Sequence, residues 1–426
     1  MSDLIRGNQL LRSGKFEEAV DAYQKAIACH PKFHWNYHKL GEALERLGRR
    51  EEARAAFCKA LDLKLSSETI RNKLETEPNK KIIIHIGTGK TGSTAIQSAL
   101  TSSFSKGNLN GICYPLPLPG YSHQQIAHLY YQNHTELPRS RYSLKSFKDL
   151  KRDYKTNLFQ QIKNNTKVIL SSEFFSGFEI GQIQELRCDL DNMGAVEYEI
   201  ILYIREPASY YLSFVQQQIK ASSKFTPPTK FRYPFLKFIT SWSKVFLREQ
   251  LNIRIFNPEM FPEGSVLLDF QNCVEKFFKQ KIELDSTSRD NESISAEGMI
   301  VLQKYREFIY PHEDNVFKGD SNILIKLLQK SKDKVLQTQP KLLPKVTAYI
   351  RQRHQKDVNA LKNIYGVNLE GLESLYQKNS ESSGSIDLGD SIIDGSCIEK
   401  VLEDFDRNVL IDLLLWIVNF QLNQKS

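Results

Sequence analysis

The chain has 426 residues, 40% of them hydrophobic and 25% charged, which is ordinary globular composition and enough length for two or three domains. Its formal net charge of +8 suits a polyanionic small ligand, while the absence of a Lys/Arg run or basic stripe argues against nucleic acid. The six cysteines (Cys29, Cys58, Cys113, Cys188, Cys273, Cys397) are scattered without a Cys-x-x-Cys pair, which excludes a disulfide scaffold and fits a reducing compartment.

The N-terminus, MSDLIRGNQLLRSGKFEEA, has no apolar core and no cleavage site, so no signal peptide and a cytoplasmic location are expected. Residues 1–66 then repeat. A shift of 34 places Gly7 on Gly41, Leu10 on Leu44, Gly14 on Gly48, Ala19 on Ala53, Tyr23 on Phe57 and Ala26 on Ala60. Small residues let paired helices approach, and aromatics fill the space between neighbouring pairs. The period and these offsets resemble the tetratricopeptide repeat, and Pro31 ends the second helix as that motif expects. Leu65 stands where the second unit would carry its proline. The resemblance implies an all-α module of two units that docks on the next domain or recruits a protein partner. His30, His34 and His38 are four apart, but Pro31 breaks the helix between the first two, so no metal site is expected. Residues 67–79 read as a linker helix.

Residues 80–426 read as a second domain. Lys80–Ile86 is a β-branched run with the signature of a buried strand. Further strands are expected at Gly111–Tyr114, Lys167–Leu170, Glu199–Ile204 and Asn252–Phe256. Residues 208–250 read as mostly helical and 296–378 as largely helical, and a last helix runs to about Phe420. Residues 379–396 are Ser/Gly/Asp-rich and read as a flexible loop. Strand–helix alternation gives an α/β class with a parallel sheet covered on both faces. The apolar run Val409–Phe420 is too short to span a bilayer, so no membrane span is expected.

Two segments carry the chemistry. Ile84–Thr94 reads I-H-I-G-T-G-K-T-G-S-T: a strand, a glycine-rich turn and a helix from about Ser93. Such a helix start offers unpaired N–H groups and a positive dipole end to an anion. Gly87, Gly89 and Gly92 let the backbone curl closely, Lys90 adds charge, and Thr91, Ser93 and Thr94 add hydroxyls. A nucleotide P-loop would need glycine at position 84, where Ile84 stands. The second segment is Arg205-Glu206-Pro207 at the end of a strand, with Ser213 on the following helix. Arg offers the planar fork that matches phosphate.

Lys-Thr-Gly-Ser-Thr after a first strand, followed by Arg-x-Pro-x5-Ser, resembles the two phosphate motifs of the sulfotransferase superfamily that uses 3′-phosphoadenosine 5′-phosphosulfate (PAPS), bacterial type. Residues 289–297 and 357–366 are similar to tails of that group. The resemblance implies a P-loop-like parallel sheet flanked by helices. It implies a donor site in which Gly89, Lys90, Thr91, Gly92, Ser93 and Thr94 hold the 5′-phosphosulfate and Arg205 and Ser213 the 3′-phosphate. No metal is required by that chemistry.

Sulfuryl transfer needs a base for the acceptor hydroxyl or amine. Glu173, just past a predicted strand end, is the first candidate, with Ser171 and Ser172 assisting in binding. His123, in the loop after the second strand, is the other. Loops 114–145 and 220–235 mix aromatics (Tyr114, Tyr121, Tyr130, Tyr131, Phe225, Phe231, Tyr233) with Arg139, Arg141, Lys224 and Lys230, which suits a saccharide acceptor, particularly an acidic one. The alternatives are a P-loop kinase or NTPase, which would need a strand ending in Asp for Mg²⁺, and a non-catalytic repeat scaffold.

Overall fold

The computed structural model describes residues 2–31, 33–49, single positions and short stretches between 52 and 63, and then 80–116, 124–130, 155–194, 196–285, 294–331, 334–335, 337–367, 388 and 395–423. The linker 67–79 lies outside them. The chain divides into two packed units: Met1–Lys81 with Gly181–Glu197, and Ile82–Ile180 with Tyr198–Ser426.

In the first unit, α1 (Ser2–Arg12), α2 (Phe16–Cys29) and α3 (His34–Arg46) follow the repeat. A Cβ on Gly7 would lie 2.4 Å from the Tyr23 ring, and one on Gly41 would lie 2.6 Å from the Phe57 ring. The same small–aromatic contact thus recurs 34 residues later, the physical reason for that spacing. Gly14 and Gly48 both turn the chain with left-handed φ, +78 and +75. Ala19, Val20, Tyr23, Ala43, Leu44, Ala53 and Ala56 form the core. Asn36 is buried and donates to the Ala26 carbonyl at 2.8 Å, tying α3 back to α2. His38 lies 3.2 Å from Glu42 within α3.

The second unit is built on a four-stranded sheet in the order β2–β1–β3–β4. In chain order come β1 (Lys80–Ile86), α4 (Ser93–Lys106), α5 (Gln124–Tyr130), β2 (Lys167–Ser172), then α6 (Ile180–Asp191), which groups with the first unit, and β3 (Val196–Ile204). Then follow α7 (Pro207–Ile219), α8 (Phe235–Ser243), β4 (Leu251–Ile255) and α9 (Val266–Phe278). The pairing is parallel, with Ile200 opposite Leu251 and Ile204 opposite Ile255. At the other edge the Gly87 N–H donates to the Ser172 carbonyl. Consecutive β1 residues Ile82, Ile83 and Ile84 are all fully buried, so both sheet faces are covered and the strand reads as an unbroken apolar run. One face packs Ile83, Ile169, Ile201 and Tyr203 against Ile96 and Leu100 of α4 and Phe270 and Val274 of α9.

The expected strand Gly111–Tyr114 is a single parallel bridge at Cys113 onto Val168. Asn110 and Gly111 are both left-handed just before it, and Pro115 has no N–H to extend the ladder after it. Within 208–250, α7 and α8 are helical and residues 220–234 between them are irregular, with Pro227, Pro228 and Pro234 in that stretch. The C-terminal part is helical: α10 (Ala296–Ile309), α11 (Gly319–Lys330), α12 (Pro344–Tyr365) and α13 (Arg407–Asn423). Of 379–396, the described positions are packed: Leu388 and Gly395 are buried, and Gly395 accepts the Phe225 N–H at 3.0 Å. Among the described residues no helix is long and apolar enough to cross a membrane.

Candidate anion-binding site

The site is assembled where β1, β2 and β3 end. Thr88 ties the turn after β1 to the neighbouring strand by donating to the Tyr203 carbonyl. Thr91 donates to the Thr88 carbonyl at 2.7 Å, and Ser93 donates to the same oxygen at 3.1 Å. Two of the three hydroxyl protons expected to serve a ligand are thus used to close the loop on itself. The donors left over are backbone. Among the described residues the N–H groups of Gly89–Thr94 have no hydrogen-bond partner, and they stand at the positive end of α4. Thr94 is half-buried in the first turn of that helix.

Glycine is needed here for two different reasons. Gly92 is left-handed at φ +79, and a Cβ there would meet Val266 at 2.9 Å. Gly87 has ordinary backbone geometry, but a Cβ would lie 2.8 Å from Ser93 Oγ and 3.0 Å from Glu173 Cγ. Its bareness admits Glu173 against the loop. Lys90 is itself left-handed at φ +67, a conformation that costs a non-glycine residue energy and recurs at functional turns.

The two sequence motifs meet. Arg205 Nη1 donates to the Lys90 carbonyl at 3.1 Å, and its Nε donates to Ser209 Oγ at 2.8 Å. The guanidinium lies over the Phe256 ring. Lys90 Nζ donates to Gln217 Oε1 at 2.8 Å. Ser213 sits one helical turn beyond Ser209 on α7. It is half-buried, and its hydroxyl has no partner among the described residues. Glu206 is occupied otherwise: it caps α7 through the Ser209 N–H at 2.7 Å and pairs with Arg351 at 3.0 Å.

Glu173 opens the 3-10 turn Glu173–Gly177 that comes after β2. Water reaches its carboxylate, yet protein crowds it from most sides, and that crowding raises its carboxyl above the usual range against the opposing pull of Lys90. Burial is also the main reason that the Lys90 ammonium is pushed down to about 8, with repulsion from Lys220 and Arg205 adding to it and Glu173 opposing it. Ser171 and Ser172 do not face a ligand. Both are fully buried: Ser171 pairs with His85 Nδ1 at 2.7 Å, and Ser172 caps the 3-10 turn. His123 lies outside the described residues.

The aromatic platform expected for an acceptor is also corrected. Tyr114, Tyr130, Phe225, Phe231 and Tyr233 are all buried core rings. Lys224 and Lys230 point to solvent, while Tyr121, Tyr131, Arg139 and Arg141 lie outside the described residues. Tyr233 stacks on Tyr210 at 3.8 Å. The Tyr233 hydroxyl is enclosed beside Thr88 and Arg205 without a hydrogen bond of normal geometry. Sequence reasoning missed Thr88, Ser209, Tyr210, Gln217 and Lys220. The signal for three of them was available: Ser209, Ser213, Gln217 and Lys220 fall four, four and three apart, the period of one helix face. Among the described residues no group of three His, Cys, Asp or Glu is arranged to hold a metal ion.

Residues 7–48 match the family described as TPR repeat, and residues 36–66 match that described as Tetratricopeptide repeat, so the N-terminal segment carries such a module. An uncharacterized protein of Archaeoglobus fulgidus is 29% identical over 142 residues, which are 33% of this chain. The match spans 38% of that relative's own length. Among solved structures, a sulfotransferase from Alicyclobacillus acidocaldarius aligns at a TM-score of 0.31 with 15% identity, covering 55% of this chain and 92% of the other.

Proposed function

We propose that the second unit is a sulfotransferase that transfers a sulfuryl group from PAPS to a hydroxyl or amine of a carbohydrate acceptor. The observation that carries the reading is the hydrogen bond from Arg205 to the Lys90 carbonyl, because it brings two phosphate motifs, 115 residues apart in sequence, to one place. The residues present fit the donor. Free loop amides and Lys90 suit the 5′-phosphosulfate, and Arg205 with the unpartnered Ser213 hydroxyl suits the 3′-phosphate.

The donor, when bound, supplies a sulfuryl group whose S–O bond to the 5′-phosphate breaks as a bond to the acceptor oxygen or nitrogen forms. Glu173 takes the proton from the acceptor, and the upward push that crowding gives its carboxyl makes it a stronger base for that step. Lys90 holds the charge left on the departing phosphate, and the loop amides orient the group for in-line attack. A nucleotide-dependent kinase is disfavoured by the strand ends: β2 ends at Ser172, β3 at Ile204 before Arg205, and the buried Asp269 is committed to Arg254. The repeat module would recruit a protein partner or an acceptor carrier, and the reaction itself asks for no metal.

Calorimetry with 3′-phosphoadenosine 5′-phosphate, against ATP with Mg²⁺, tests the reading on wild type, Lys90→Ala and Arg205→Ala. Micromolar binding of the first ligand alone, lost in both variants, is expected. Glu173→Gln should keep that binding while transfer from labelled PAPS to a saccharide pool disappears. Preferential ATP binding would overturn the reading, and binding of neither ligand by folded protein would leave a repeat scaffold.

A further inference from the structure

The face of α7 that carries the site continues past the residues used so far. Ser209 touches Arg205, Ser213 is free, and Gln217 touches Lys90. The next residue on that face is Lys220, which caps the helix with helical backbone angles. At about 1.5 Å per residue, Lys220 lies roughly 10 Å along the axis from Ser213 and one turn past Gln217. On the proposed reading the order along the helix is 3′-phosphate, then 5′-phosphosulfate, then Lys220. Lys220 therefore stands past Gln217 and Lys90, at the end of the row away from Arg205.

Lys220 is half-buried, and among the described residues its ammonium has neither a hydrogen bond nor a carboxylate partner. A cation kept partly out of water without a counter-ion costs energy that an anionic ligand would recover. Burial pulls its pKa down, and its charge bears on Lys90. The residues just after Lys220 also hold it in place. The Ala221 carbonyl accepts from the fully buried Arg306 at 2.6 Å and from the Val316 N–H at 3.1 Å. Ser222 Oγ accepts from the Asn315 N–H at 2.8 Å, and the Ser223 carbonyl accepts from Gln303 at 2.9 Å. Gln218 and Thr226 close the turn with two reciprocal bonds, at 2.8 and 3.0 Å. Such a clamp fixes the root of the Lys220 side chain.

We propose that Lys220 binds an anionic group of the acceptor, a carboxylate or sulfate on a saccharide, so that the protein selects acidic over neutral sugars. The proposal rests on the donor reading above. It is tested on the full chain saturated with 3′-phosphoadenosine 5′-phosphate, by comparing the dissociation constants of a glucuronate-terminated disaccharide and its glucose counterpart. Wild type should bind the acidic sugar at least tenfold more tightly. Lys220→Ala and Lys220→Gln should abolish that preference, and Lys220→Arg should keep it. All three variants should bind the nucleotide within about twofold of wild type and unfold at its temperature. Equal affinity for both sugars, or binding of neither by the loaded wild type, overturns the proposal. So does a loss of nucleotide affinity in Lys220→Ala that matches Lys90→Ala, because the lysine then belongs to the donor. Failure of the wild type to bind the nucleotide at all defeats the donor reading itself, an outcome distinct from the others.

Discussion

The Lys90 ammonium gives the site a pH dependence that can be worked out in advance. In the free protein it is pushed down to about 8, chiefly by burial. An anion at the loop must find it protonated, and binding restores its pKa upward, so affinity is full below the free-protein value and falls as pH rises through it. At pH 9, with a free-protein pKa of about 8, about one lysine in eleven carries its proton, so nucleotide affinity should be roughly tenfold below its plateau. The phosphates of 3′-phosphoadenosine 5′-phosphate titrate near pH 6 and are fully charged throughout this range, and Arg205 stays charged. Titration calorimetry at pH 7.0, 8.0, 9.0 and 9.5 at constant ionic strength reads the slope. Lys90→Arg, with a guanidinium that does not titrate here, should flatten it, whereas Lys220→Gln, which removes a repulsion on Lys90, should move the fall to higher pH. A wild-type affinity that stays flat from pH 7 to 9.5 would refute the argument that Lys90 contacts the anion.

Three further outcomes are expected from the same geometry. Gly92→Ala forces a side chain into left-handed backbone and against Val266, so it should cost about 1–2 kcal/mol in urea unfolding and abolish nucleotide binding. His85 is fully buried, with a pKa pushed down to about 3, so the unfolded chain takes up a proton at about 6.5 that the folded chain refuses. Stability is therefore complete above that value and falls below it, by about 2 kcal/mol at pH 5, and His85→Gln should reduce that acid sensitivity. Asp269 is buried, accepts a two-pronged contact from Arg254 and receives the Tyr203 hydroxyl at 2.7 Å. Asp269→Ala should cost about 3–5 kcal/mol by urea unfolding, because it strands a partly buried guanidinium.

The sequence revealed the repeat down to single contacts, since the pairs Gly7–Tyr23 and Gly41–Phe57 are the very positions the period aligned. It also located the loop and the strand-end arginine, because glycine spacing and a charge after an apolar run are local signals. How the glycines act was not legible. Gly87 serves close approach, and the left-handed turn is made by Lys90 and Gly92, so a lysine does what residue type would assign to a glycine. Hydroxyl roles were hidden for the same reason. Whether Thr91 and Ser93 serve a ligand or the Thr88 carbonyl depends on the path of the turn, which composition does not encode. The aromatics of 220–235 misled because their positions gave no period, and without one an exposed platform and a buried wedge look alike.

The distance between the two phosphate motifs is cancelled by strand order rather than by local pattern. Because β3 lies beside β1 and runs parallel to it, both strands deliver their following turns to the same edge, and Thr88 reaches the Tyr203 carbonyl across that junction. The helix leaving β3 then passes alongside the loop. A motif search finds Arg205 and Ser213, which stand on either side of Ser209, but it has no reason to name Ser209 or Gln217. Their importance appears only once the loop is known to run past that face, where a four-residue step turns one helix into a row of contacts. Adjacent parallel strands followed by a polar helix face are thus sufficient to bring the charges of Arg205 and Lys220 to bear on Lys90. Burial of Lys90 beside the Arg205 guanidinium gives the loop its demand for an anion.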